Sequence, residues 1–83
     1  HEMSLYPNPF STSTTIEYEL TRPGTMRITI YNQHVRQVEV IEQSQPQGLN
    51  KIMWAPGKLP GGIYYFRLQA GKQAASGKMV LMR

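Results

Sequence analysis

Two histidines and one run of hydroxyls are the residues of this chain that could do chemistry by themselves. His1 and His34 could bind a metal or act as a base, and Ser11-Thr12-Ser13-Thr14-Thr15 could offer a nucleophile. Spacing argues against both. A structural zinc ion takes four protein donors and a catalytic one about three, yet neither histidine has a Cys, an Asp or a second His at ligand spacing. Aspartate and cysteine are absent altogether, and the acids are only Glu2, Glu17, Glu19, Glu39 and Glu42. A Ser-His-Asp relay, an Asp-rich calcium loop and a paired-aspartate site are therefore all excluded. The hydroxyl run has no base beside it and is too short for a glycosylated stalk, so it reads as a loop entering a strand. The expectation is a chain with no catalytic residue, no metal and no cofactor.

Binding is the remaining way to act, and charge is the first guide to a partner. Nine Lys and Arg against five acids give a formal net charge of +4 and a pI near 9.7. The cations are spread singly from Arg22 to Arg83, with no basic run. That pattern is a solvated positive surface, not a nucleic-acid interface. With 83 residues the chain makes one domain, near the lower end of what folds unaided. Without cysteine its cohesion must come from apolar burial, and the missing cysteine does not identify a compartment. No apolar run approaches the roughly 20 residues of a membrane helix. His1-Glu2-Met3 lacks the basic start and apolar stretch of a signal peptide. A start at histidine instead of methionine reads as a piece of something longer, with residues 1–4 a linker or remnant and 5–83 the domain.

Period-two alternation runs through almost the whole of it. Thr15–Leu20 places Ile16, Tyr18 and Leu20 on one face and Glu17 and Glu19 on the other. Arg22-Pro23-Gly24 supplies a turn. Thr25–Tyr31 then turns Met26, Ile28 and Ile30 inward, and a third strand does the same with Val38 and Val40. Ser44–Gly48 is a polar loop. Asn50–Trp54 brings in Ile52 and Trp54, and the turn-forming stretch 55–62 holds a single plug, Leu59. Ile63–Gln69 buries Tyr64, Phe66 and Leu68; Ala70-Gly71-Lys72 returns the chain, and Gly77–Arg83 buries Met79 and Leu81. Turn signals at this spacing predict an all-β fold, an immunoglobulin-like β-sandwich of about seven short antiparallel strands.

Leu5-Tyr6-Pro7-Asn8-Pro9-Phe10 is the least generic stretch. Each proline fixes φ, removes an N–H and pushes the preceding residue towards extended conformations. The segment is expected to run extended as an edge strand or a clamp along a sheet margin, with Tyr6 and Phe10 dropped onto the core.

Taken in order, Tyr6-Pro7-Asn8-Pro9-Phe10, Thr15-Ile16-Glu17-Tyr18 with Pro23-Gly24, Ile30-Tyr31-Asn32, Trp54, Leu59-Pro60-Gly61-Gly62-Ile63-Tyr64 and Lys78-Met79-Val80-Leu81 resemble the C-terminal sorting domain of the type IX secretion system. The resemblance covers Leu5 to Arg83, and the ordered combination is far more specific than any one piece. It implies a C-terminal export signal of Gram-negative bacteria of the Bacteroidetes type. The implied partners are an outer-membrane type IX translocon, a sortase-like cysteine peptidase that removes the domain, and a covalently linked N-terminal cargo domain. The implied itinerary is the periplasm in transit, then the cell surface or release. No active site, nucleic acid or transmembrane segment belongs to this picture.

Residue by residue, the resemblance assigns the opening motif to Tyr6, Pro7, Asn8, Pro9 and Phe10, and the turn motif to Gly61, Gly62 and Tyr64. Partner recognition falls on the terminal motif, Lys78, Met79, Val80, Leu81, Met82 and Arg83. A terminal edge strand has unpaired backbone groups that a partner can extend. In one place the chain departs from the family. A glycine usually follows the Tyr-Asn pair shortly, whereas here the chain reads Asn32-Gln33-His34-Val35-Arg36. Positive φ is costly for a β-branched residue, so Val35 is expected to avoid it and the turn to be rebuilt around Asn32 or His34.

Two other readings stand beside this one. An accessory immunoglobulin-like module would bind carbohydrate on Tyr31 and Tyr65, the outward aromatics, or act as a spacer. The hook-capping immunoglobulin-like domain of flagella shares the glycine-then-tyrosine strand.

Overall fold

The computed structural model describes residues 3–83, so His1 and Glu2, and the reading of His1 as a remnant, lie outside the described residues. Seven strands follow in chain order: β1 Met3–Tyr6, β2 Thr14–Leu20, β3 Gly24–Asn32, β4 Gln37–Gln45, β5 Gly48–Trp54, β6 Gly62–Ala70 and β7 Gln73–Leu81. β1 begins inside the stretch read as linker, since Met3 and Ser4 pair with Tyr18 and Glu17.

The strands form two antiparallel sheets, β1-β2-β5 and β4-β3-β6-β7. Alternation explains why they must face each other. β2 turns Ile16, Tyr18 and Leu20 to one side and β5 adds Ile52 and Trp54; opposite them lie Met26, Ile28 and Ile30 of β3, Tyr64, Phe66 and Leu68 of β6, and Met79 and Leu81 of β7. Each sheet has one apolar face, and burying both at once makes the immunoglobulin-like sandwich. Phe10 and Leu59, from the loops, close one end of it, Phe10 buried fully and Leu59 in part.

β4 departs from the alternation expected of it. A register shift opposite Ile30 and Tyr31 pairs Ile30 with Glu39 but Tyr31 with Gln37, leaving Val38 as the extra residue of a bulge. Val38 still packs on the core as expected, but past the bulge the inward set moves by one: Ile41, opposite Ile28, packs on the core, while Val40 is exposed. Only Pro46 and Gln47 separate β4 from β5, because Ser44, Gln45 and Gly48 belong to the strands. There the Asn50 side chain donates to the carbonyls of Pro46 (2.9 Å) and Gly48 (3.1 Å) and braces the turn. β7 starts at Gln73, before the expected Gly77; Ala74, Ala75, Ser76 and Gly77 are too small to carry a clear alternation signal.

The turn after β3 contradicts the expectation for Val35, whose φ is +62°. Asn32 holds it there. The Asn32 Oδ1 accepts from the amides of His34 (2.9 Å) and Arg36 (3.0 Å). The backbone of Asn32 also accepts from Val35 N–H and donates to the Arg36 carbonyl, both at 2.9 Å. With its side chain 76% exposed, Val35 meets no packing penalty besides the local backbone cost. Val35→Gly is expected to raise stability by about 1 kcal/mol, the left-handed cost of a β-branched residue less the added freedom of the unfolded chain. A urea melt decides it: an unchanged or lowered midpoint would show Val35 to be unstrained.

Candidate partner-recognition surface

The proline segment is a crossing between the sheets, not one continuous extended strand. It leaves β1 at Tyr6, and the Tyr6–Pro7 and Asn8–Pro9 peptide bonds are cis. The Pro7 carbonyl accepts from the buried Thr14 hydroxyl at 2.8 Å. From there the chain reaches the outer edge of β7. Prolines have no N–H to offer a strand, and the asparagine side chain replaces what they lack. Asn8 Nδ2 donates to the Lys78 carbonyl and its Oδ1 accepts from Val80 N–H, both at 2.9 Å. Phe10 then continues with true backbone bonds, donating to the Val80 carbonyl (2.9 Å) and accepting from Met82 N–H (2.7 Å). A short parallel bridge between Phe10 and Leu81 results. Tyr6 does not drop onto the core. Alternation in β1 turns Leu5 inward instead, and the Tyr6 hydroxyl sits on the outer face, 3.3 Å from Glu17 Oε2.

The terminal motif meets this clamp and the turn motif at one end of the sandwich. Phe10 stands 6.0 Å from Trp54, which meets Tyr64 edge-on at 5.7 Å. The Tyr64 hydroxyl donates to the Pro60 carbonyl at 2.6 Å, and Arg83 Nη1 donates to the Leu59 carbonyl at 2.7 Å. Gly61 gives that contact room, since a Cβ there would lie 3.1 Å from the Arg83 backbone, a tight approach. Gly62, at φ +148°, starts β6 in a conformation that side-chain-bearing residues rarely adopt.

Of the terminal motif, Met79 and Leu81 are buried and Val80 half-buried, so Lys78, Met82 and Arg83 present the side chains a partner can touch. Backbone extension along the same stretch is closed. Asn8 and Phe10 already bond Lys78, Val80 and Met82, so the expectation of an open terminal edge there is corrected.

Three contacts had no signal in the sequence. Trp54 Nε1 donates to Glu39 Oε1 across the sheets at 2.6 Å, an effect of the β4 bulge. At the other end Gln73 Oε1 accepts from the Thr21 amide (2.8 Å) and hydroxyl (2.9 Å), and Gln73 Nε2 donates to the Glu19 carbonyl at 3.2 Å. Tyr31 and Tyr65 are cross-strand neighbours on the outer face of the four-stranded sheet, and Lys78 lies next to Tyr65. His34 sits on the exposed turn, and no group of three or more His, Cys, Asp or Glu that could hold a metal occurs among the described residues.

Residues 4–82 match the secretion-system C-terminal sorting domain. The chain belongs to that family. Its function is that of a sorting domain, the C-terminal signal that directs a protein through type IX secretion to the cell surface or release. No curated protein matches the chain. Among solved structures it is similar to the crystal structure of dimeric latent PorU from Porphyromonas gingivalis, at a TM-score of 0.75 and 20% identity. That likeness covers 95% of this chain and 9% of the PorU chain, and it concerns the fold.

Proposed function

We propose that the outer-membrane type IX translocon reads the end of the sandwich where the opening and terminal motifs meet, through the side chains of Lys78, Met82 and Arg83, with Met79, Val80 and Leu81 holding them in place. A cargo domain precedes the sorting domain in the chain, passes through the periplasm with it, and is parted from it by a sortase-like cysteine peptidase. The observation that carries this reading is the clamp. Asn8 and Phe10 tie the opening motif to the terminal motif, so the terminal side chains are held against the body of the sandwich. Exposed cations beside an exposed methionine suit a partner that is partly acidic and partly apolar.

The test is a reporter fused ahead of the domain in a host with type IX secretion. Surface display is expected for the native domain, with at least a tenfold loss for the double variant Met82→Glu, Arg83→Glu at unchanged melting temperature. Deleting Gly77–Arg83 is a poorer test, because it also removes Met79 and Leu81 from the core. Full export of the folded double variant would move recognition to another surface.

A further inference from the structure

The hydrogen bonds that close one half of β7 leave the other half open, and the open half has the make-up of a docking edge. In an antiparallel pair, residues alternate between bonding the neighbouring strand and aiming both backbone groups away from it. Lys78, Val80 and Met82 are the outward set, since Asn8 and Phe10 reach them from outside the sheet. Ser76 and Ala74, two and four residues before Lys78, therefore aim the same way. Among the described residues β7 has only β6 as a strand neighbour, and the clamp stops at the Lys78 carbonyl. The Lys78 N–H and both backbone groups of Ser76 and Ala74 are left facing solvent.

Ahead of Lys78 nothing in this half blunts the edge. Proteins protect edges with prolines, bulges or charges placed along the strand, but Ala74-Ala75-Ser76-Gly77 contains none of these. The other edges differ. β1 is four residues long, β4 carries the bulge at Val38, and β5 has Lys51 in its middle between the bulky Leu49 and Met53. The small side chains of β7 also leave an open depression of about 410 Å³ lined by Arg67, Ala74, Ala75 and Ser76. Arg67 is opposite Ser76 and Lys78 opposite Tyr65, so both cations lie on the outer face beside this edge. Neither has an acidic partner among the described residues, unlike Arg27, which meets Glu42 at 3.5 Å.

We propose that β7 from Ala74 to Lys78 accepts an extended segment of a partner protein as a fifth strand, and that this segment carries acidic side chains on the outer face of the sheet, the face that holds Arg67 and Lys78. The inference rests on the reading that another protein recognises the domain, and it moves the backbone part of that recognition from the closed end of β7 to its open half. The added strand would gain main-chain bonds from Ala74, Ser76 and Lys78 for affinity and the two cations for register and sign.

The folded domain is titrated with a ten-residue peptide alternating Val and Glu, and with the same peptide carrying Lys for Glu, while amide exchange is followed by NMR. Slowed exchange at Ala74, Ser76 and Lys78 with the acidic peptide is expected, at least tenfold weaker for the basic one. Protection elsewhere, or none, overturns the docking edge; equal binding of both peptides overturns the acidic partner. Ser76→Pro removes one outward N–H that no strand uses, a substitution an edge tolerates, and Arg67→Glu reverses the charge without touching the backbone. Both variants are expected to stay folded and to lose peptide binding and reporter export at least tenfold. If the native fusion is exported and the folded variants are exported equally, the docking edge fails while the sorting reading stands; if the native fusion stays inside, the sorting reading itself fails. A concentration-dependent dimer in sedimentation that Ser76→Pro abolishes would assign the edge to a second copy and overturn the proposed occupant.

Discussion

Trp54→Ala is expected to lower stability by about 3–5 kcal/mol, the usual cost of emptying a large aromatic site in a core. Trp54 is 1% exposed, and its ring lies between Phe10 and Tyr64 at 6.0 and 5.7 Å. Those neighbours come from the opening segment and from β6, so the cavity would open where these two parts of the chain meet β5. A small domain loses roughly 4–8 °C of Tm per kcal/mol, which puts the fall on the order of 20 °C. Calorimetry checks the size of the effect, and Trp54→Phe separates its causes. Phenylalanine keeps most of the volume but loses the N–H that Glu39 accepts at 2.6 Å, so a loss of about 1–2 kcal/mol is expected. A Trp54→Ala protein that melts like the native one would place the ring outside the core.

Phe10→Ala should cost nearly as much, about 3–4 kcal/mol, even though Phe10 belongs to no named strand. Its ring is 3% exposed and its backbone holds Val80 and Met82. The ring anchors the clamp, and the clamp covers the edge. Asn8→Ala is the informative comparison. It removes two hydrogen bonds at an exposed site and leaves the core intact, so about 1 kcal/mol is expected. Urea melts rank the two variants, and limited proteolysis after Tyr6 reports whether the segment has come loose. Equal losses for both variants would mean that the hydrogen bonds, not the buried ring, hold the clamp.

Part of the proposed recognition surface was readable as a list of residues but not as an arrangement. The opening, turn and terminal motifs lie tens of residues apart in the chain, and their order led to the family. Their meeting at one end of the sandwich follows from the sheet order, which brings β7 to the margin that the segment after β1 can reach. Glu39 illustrates the limit. Alternation read Val38 and Val40 as inward; Val38 does pack on the core, but past a single bulge Glu39 and Ile41 take the inner side in place of Val40. Bulges depend on cross-strand fit and have no signature in a period-two pattern. Val35 illustrates another. Backbone preference argues against φ +62°, but the bonds gathered by Asn32 outweigh a cost of about 1–2 kcal/mol.

Composition and alternation alone sufficed for the all-β class, for the exclusion of aspartate- and cysteine-based chemistry, and for nearly every core residue in β2, β3, β5, β6 and β7. The reason is local: a strand buries every second side chain, whatever its partner. Which edges are open is a different kind of fact. Asn8 satisfies Lys78 and Val80 from 70 and 72 residues away in the chain, and only the folded sandwich brings them within hydrogen-bonding distance. Tertiary structure therefore decided that the closing half of β7 is sealed by the protein's own proline segment while Ala74 to Lys78 remains exposed. Side-chain pattern records which face is wet, whereas edge occupancy depends on backbone groups that every residue type shares.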